Sequence, residues 1–216
     1  SDAGGTGDIY NQTSDNFALF THNIFHVTDR FDTTLGLDYT SESKDFDASF
    51  GNDNTVCPTN RAIVGPLLAV PALAGFAGGI LALSCQGNST SELDGVTIAD
   101  SRDEDQFTGT AILSYKALDD LLIYGSYSRG YKAGGFNLDR SALSNPLTLN
   151  VANLNTANLQ FDAETVNSYE VGFKYAIPKF SLSVAAFHQE FSDFQLNTFN
   201  GSVFLVQNIN GCETDL

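Results

Sequence analysis

Four stretches of this sequence alternate apolar and polar residues with a period of two, and that pattern limits most of the chain to β-structure. Between Phe31 and Tyr39 one face carries Phe31, Thr33, Leu35, Leu37 and Tyr39, and the other carries Asp32, Thr34, Gly36 and Asp38. Phe107, Gly109, Ala111, Leu113 and Tyr115 share a face further on. Tyr169, Val171, Phe173 and Tyr175 oppose Ser168, Glu170, Gly172 and Lys174, and Phe180, Leu182, Val184 and Ala186 oppose Ser181, Ser183 and Ala185. A strand sends successive side chains to opposite faces, whereas a helix repeats every 3.6 residues. Composition agrees. Only 17% of residues are charged, too few for long charged helices, and a 42% hydrophobic content is too apolar for a solvated coil. The 26 acidic residues against 10 Lys and Arg give a net charge of -16, which excludes a nucleic-acid partner, because phosphate binding needs clustered cations.

The connections between the strands are unequal. Short ones fall at 28–30, 117–120 and 177–179, and long ones run from about 45 to 104 and from about 137 to 162. A membrane β-barrel has this arrangement, with short turns at one rim and long loops at the other, an apolar outer band and a polar interior. About seven strands are expected, at 16–28, 31–44, 105–117, 120–136, 163–176, 179–198 and 203–210. Single-chain bacterial barrels close with an even number of strands, and an open sheet in lipid leaves edge hydrogen bonds unmade. The expectation is therefore one all-β domain over 1–216, an antiparallel transmembrane segment of a larger barrel. It carries a long extracellular insertion at 45–104 and a second extracellular loop at 137–162.

Three segments carry a family signature. Residues 121–137 read LLIYGSYSRGYKAGGFN, 164–175 read ETVNSYEVGFKY, and 187–208 read FHQEFSDFQLNTFNGSVFLVQN. Together they resemble the barrel domain of TonB-dependent outer-membrane receptors, and 17–44 looks like the preceding hairpin of that family. The resemblance implies energised uptake of a scarce small molecule, with iron–siderophore the commonest ligand of the family and cobalamin, oligosaccharides and aromatic degradation products as others. It implies a Gram-negative outer-membrane location, lipid and lipopolysaccharide around the barrel, and contact with TonB through an N-terminal plug bearing a TonB box. Neither the plug nor a terminal strand ending in an aromatic residue is seen in this sequence, so an internal piece of a barrel of about 22 strands is expected. In the same reading Arg129, Lys132, Glu170 and Lys174 are candidates for the lumen or ligand path. Asp38 stands where the family often carries Arg.

The remaining motifs carry less. Cys57 and Cys85 bracket the apolar insertion and are candidates for a disulfide in an oxidising compartment, the alternative being two unpaired small apolar residues. Residues 62–83 hold no charge and are long enough to cross a bilayer as a helix. Pro66 and Pro71 oppose that, and an apolar loop with a short helix is the favoured reading. The acidic set Asp100, Asp103, Glu104 and Asp105 lacks the order of a calcium loop, so a solvated or lipopolysaccharide-facing rim is expected. His22, His26 and His188 are scattered, no zinc spacing is present, and no G-x-S-x-G occurs. No catalytic residue, metal or cofactor is therefore assigned, and an enzyme is not expected. Two other readings stand beside the receptor: an extracellular β-fibre or interaction protein, and a small complete outer-membrane pore or adhesin.

Overall fold

The computed structural model describes residues 7–85, 93–143, 154–199 and 204–215. Long antiparallel strands dominate it: β1 (Ile9–Thr28), β2 (Phe31–Ser49), β3 (Thr97–Leu118), β4 (Leu121–Lys132), β7 (Glu164–Ile177) and β8 (Phe180–Ser192). Short pieces lie between and after them: β5 (Gly135–Phe136), β6 (Gln160–Phe161), β9 (Phe194–Phe199), β10 (Phe204–Ile209) and β11 (Cys212–Asp215). The main sheet has seven strands in the order β1-β2-β3-β4-β7-β8-β11 and does not close on itself. Every pairing in it is antiparallel.

Register converts the sequence alternation into two continuous faces. Leu37 lies opposite Gly109, which lies opposite Arg129, which lies opposite Asn167. Two residues along, Leu35, Ala111, Tyr127, Tyr169 and His188 form the next row. The apolar face so assembled is open to its surroundings, with Leu37 55% and Val171 59% exposed. Aromatic pairs mark its margins: the Tyr39 and Phe107 rings are 4.9 Å apart, Tyr127 and Tyr169 5.2 Å, and Tyr175 and Phe180 6.5 Å. From Tyr39 to Phe31 the strand advances about 26 Å at ~3.3 Å per residue. At the ~35–45° tilt of barrel strands this rises about 20 Å, most of the ~25 Å apolar band of an outer-membrane barrel.

Three two-residue turns join the strands at one rim, Asp29-Arg30, Asp119-Asp120 and Pro178-Lys179. They are tied to their neighbours, since the Lys116 amide donates to the Arg30 carbonyl (2.7 Å) and the Ala176 amide to the Asp120 carbonyl (2.9 Å). At the other rim β2 and β3 run beyond the expected strand ends, pairing as far as Ser49 and Thr97. The insertion between them is thereby reduced to 50–96. The seventh expected strand, 203–210, also falls differently. Asp193 takes a positive φ of 53° and breaks 179–198 into β8 and β9, and β10 turns back onto β9. The seventh strand of the main sheet is β11, paired with β8.

The apolar run folds as α1 (Val56–Val64), a 3₁₀ turn (Gly65–Ala69) and α2 (Pro71–Ser84). Pro71 stands in the first turn of α2, where a missing N–H costs nothing, and Pro66 falls in the 3₁₀ turn. No described helix is long and apolar enough to cross a membrane. The main buried core lies at the long-loop rim, where Phe46, Ala48, Phe50, Leu93, Phe136, Leu143 and Leu159 pack together. Phe46 and Phe136 stack at 4.9 Å with their planes 12° apart.

In the full-length protein, Val171→Arg on the apolar face should destabilise the barrel by about 2–4 kcal/mol, and Ser168→Arg on the opposite face far less. Equilibrium urea unfolding in lipid vesicles checks this, and equal losses would contradict the facial assignment.

Candidate functional site on the polar face and the long-loop rim

On the polar face, Glu170, Gly172 and Lys174 follow one another at alternate positions of β7, and Tyr124 of β4 lies opposite Gly172. The Tyr124 hydroxyl donates to Glu170 Oε1 at 2.5 Å, and Lys174 Nζ sits 5.5 Å from the centroid of the same ring. A Cβ on residue 172 would come within 2.8 Å of Tyr124 Cζ and 2.7 Å of the Val184 carbonyl oxygen. The absence of a side chain at Gly172 thus lets the tyrosine ring lie across the sheet and join anion to cation. Of the four charged candidates, Glu170 and Lys174 are brought together in this way.

Arg129 and Lys132 part company. They are three residues apart on one strand, so they face opposite ways. Arg129 pairs across to Gly109 and Asn167 and lies on the apolar face, one row beyond Tyr127. There it helps line a groove of about 400 Å³ with Leu35, Leu37 and Phe107. Lys132 lies on the polar-face parity opposite Glu164, and its carbonyl accepts a hydrogen bond from Gln195 Nε2 at 3.4 Å.

Beyond Arg129, β4 separates from β3, and the glycines that follow let the chain cross onto the polar face of β2 and β3. Gly134 is held at both ends: Lys44 Nζ donates to its carbonyl (2.7 Å), and its amide donates to Glu104 Oε2 (3.0 Å). A Cβ at Gly134 would meet the Phe161 carbonyl oxygen at 2.5 Å and the Arg102 guanidinium at 2.7 Å. Lys44 also pairs with Glu42 at 3.1 Å, which accepts from Ser14 Oγ at 2.8 Å. Arg102 reaches Glu104 at 3.7 Å and donates twice to Asp162 Oδ1 at 3.1 Å. The segment 129–137 is therefore a strand-to-rim crossing in which the Gly134 amide is already engaged.

Three side-chain amides fasten the β9–β10 hairpin to this crossing. Asn137 Nδ2 donates to the Val206 carbonyl (3.0 Å) while its Oδ1 accepts from the Val206 amide (2.8 Å), as a paired strand would. Asn208 does the same with the backbone of Asp162, at 2.9 and 2.7 Å. Gln195 Nε2 donates to the carbonyls of Ala133 and Asp162 at 2.9 and 3.0 Å.

The acidic set is divided by the pleat. Asp100 and Glu104 point to the polar face, Asp103 and Asp105 to the other, and Asp105 accepts from the Tyr39 hydroxyl at 3.0 Å. Among the described residues no group of His, Cys, Asp and Glu is arranged to hold a metal ion. The histidines stay apart, with His26 on Asp32 at 2.6 Å and His188 on Glu190 at 3.5 Å. Cys57 and Cys85 are joined in a disulfide, while Cys212 is an exposed thiol.

Electrostatics at the rim follow burial. Burial pushes the Tyr10 phenol up to about 12, with help from the negative charges of Asp8 and Asp139. Burial also pushes the Asp100 carboxyl up, but hydrogen bonds from Gln160, Thr156 and the Ser101 amide outweigh it and leave the group below its usual value. Arg140, 3% exposed, lies 3.4 Å from Asp8 and ties the second long loop to the start of β1.

The family model described as TonB dependent receptor-like, beta-barrel, matches residues 1–211. The chain belongs to the TonB-dependent receptor barrel family. In that family's architecture the apolar face is the lipid-facing wall and the polar face lines the lumen. The ferric yersiniabactin uptake receptor FyuA from Yersinia pestis is similar in structure, with a TM-score of 0.58 and 19% identity over 88% of this chain. The Ralstonia pickettii toluene transporter TbuX matches 94% of this chain at 18% identity, with a TM-score of 0.35. This chain spans 22% of the FyuA structure's length and 51% of that of TbuX. None of the curated proteins matches the sequence.

The two rim shifts give a pH window. Tyr10 is raised in the folded state, so its contribution is complete below about pH 10 and disappears as pH climbs towards 12. Asp100 is lowered, so its contribution is complete above about pH 4 and fades as the carboxyl protonates below that. Proteolysis of the long loops should accelerate at both extremes, and Tyr10→Phe should abolish only the alkaline limb. An alkaline limb unchanged in Tyr10→Phe would show that another group controls it.

Proposed function

We propose that this chain forms part of the wall and mouth of an outer-membrane receptor that imports a scarce ligand with energy delivered through TonB. The match to the receptor-barrel family over residues 1–211 carries the reading. Its relatives of known structure are receptors and transporters, which favours transport over catalysis. Iron bound to a siderophore is the proposed cargo class, supported by the structural similarity to FyuA, a ferric yersiniabactin uptake receptor. Ligand contacts would come from the rim built by the segments after β2 and β4, together with the plug. TonB would act on that plug, and lipid and lipopolysaccharide would surround the apolar face. Glu170 and Lys174, both in contact with Tyr124, face the proposed lumen, where they would offer the plug charges of both signs.

Deleting the gene for the full receptor should abolish growth on ferric siderophores as sole iron source, and loss of TonB should have the same effect. Uptake that persists without TonB would overturn the energised reading. A native polypeptide recovered outside the cell without detergent would instead support the β-fibre.

A further inference from the structure

One cleft at the rim stands out for the charges it lacks. It has a volume of about 410 Å³ and lies between a second 3₁₀ turn (Thr156–Leu159) with β6 on one side and β10 on the other. That size is within the range of small-ligand pockets, roughly 300–1,000 Å³. Its polar side chains are Asn137, Asn158, Gln160, Gln207 and Asn208, all carboxamides, with Phe161 as its ring. Among the described residues none that lines it is ionisable, in a chain carrying 26 acidic side chains. Two of these amides are structural: Asn137 and Asn208 clamp β10 to the opposite wall and fix the width of the cleft. Two others are only half used. Gln160 gives its Nε2 to Asp100 at 2.9 Å and retains Oε1, while Gln207 accepts from Thr198 at 3.0 Å through Oε1 and retains its Nε2 donors. The cleft lining thus includes a residue with a spare acceptor and another with spare donors.

We infer that this cleft is a binding site for a neutral, hydroxyl-rich ligand of the carbohydrate class. A hydroxyl both donates and accepts, which matches Gln160 Oε1 and Gln207 Nε2 together. A phosphate or carboxylate would find no cation here, and an ammonium no carboxylate. The Phe161 ring adds an apolar surface for the C–H face of a sugar. The clamped walls hold these groups before the ligand arrives, which limits the ordering cost of binding. The inference rests on the receptor reading and names the chemistry that the mouth recognises, whether the sugar is the cargo or a decoration on it.

The test is equilibrium binding of the full-length receptor in detergent to an array of neutral glycans, with matched carboxylated and sulfated glycans alongside. At least one neutral glycan should bind, and Gln207→Ala and Gln160→Ala should each weaken it by about three- to tenfold. Both variants leave the Asn137 and Asn208 clamps intact, and their heat-modifiable migration on gels should match wild type. Binding confined to charged glycans, no retained neutral glycan, or affinity unchanged in both variants would each overturn the assignment. The measurement needs no TonB, so it stands or falls separately from energised uptake.

Discussion

The hydrogen-bond ladder of the main sheet is the constraint on which everything else rests. In hydrocarbon every backbone N–H and C=O must find a partner within the protein, because water is not there to take its place. Antiparallel pairing supplies those partners from β1 to β11, and the three two-residue turns fix the register of the hairpins they close. Register then decides chemistry. A slip of one residue would carry Leu37 and Val171 inward and turn Asp38 and Glu170 towards lipid. The outer strands of the sheet each retain an unpaired edge, which in a complete receptor barrel pairs with the remaining strands.

Above the membrane band the physics changes. The strands continue past the aromatic rows, and their polar-face residues become the floor on which the loops pack. Phe46 is the pivot, with Phe136 stacked on it and Leu143 and Leu159 completing the cluster. These residues come from β2 and from the stretch between β4 and β7, far apart in sequence. The rim is thus a small hydrophobic core built on a membrane wall, surrounded by ion pairs and amide clamps. The disulfide-joined helical pair belongs to a separate small cluster around Cys57, Leu81 and Cys85.

Much of the wall was legible from residue order because a period-two pattern is local. The faces through Leu35, Leu113, Val171 and Val184 fell where alternation placed them. β1 was harder, since Phe20 and Ile24 share the face of Asp38 and Thr34, and only the hairpin motif revealed the strand. Arg129 illustrates a different difficulty. Grouping it with Lys132 as a lumen cation overlooked that three steps along a strand reverse the face. The break at Asp193 has no strong local signal, because aspartate tolerates the left-handed region without demanding it. Asn137, Gln195 and Asn208 were invisible for a simpler reason. An amide that clamps a distant backbone looks like any surface amide until the fold brings the partner near.

The two kinds of fastening at Asp162 differ in their response to the surrounding water. Its carboxylate is held by Arg102 through charge and lies largely open to solvent, whereas its backbone is held by Asn208 and Gln195 through neutral dipoles. Screening shortens from about 30 Å at 0.01 M salt to about 3 Å at 1 M, and it weakens exposed ion pairs far more than neutral hydrogen bonds. Raising the ionic strength therefore loosens the charged tether while the neutral one keeps the hairpin in place. The outline of the rim is thereby buffered against changes in ionic strength.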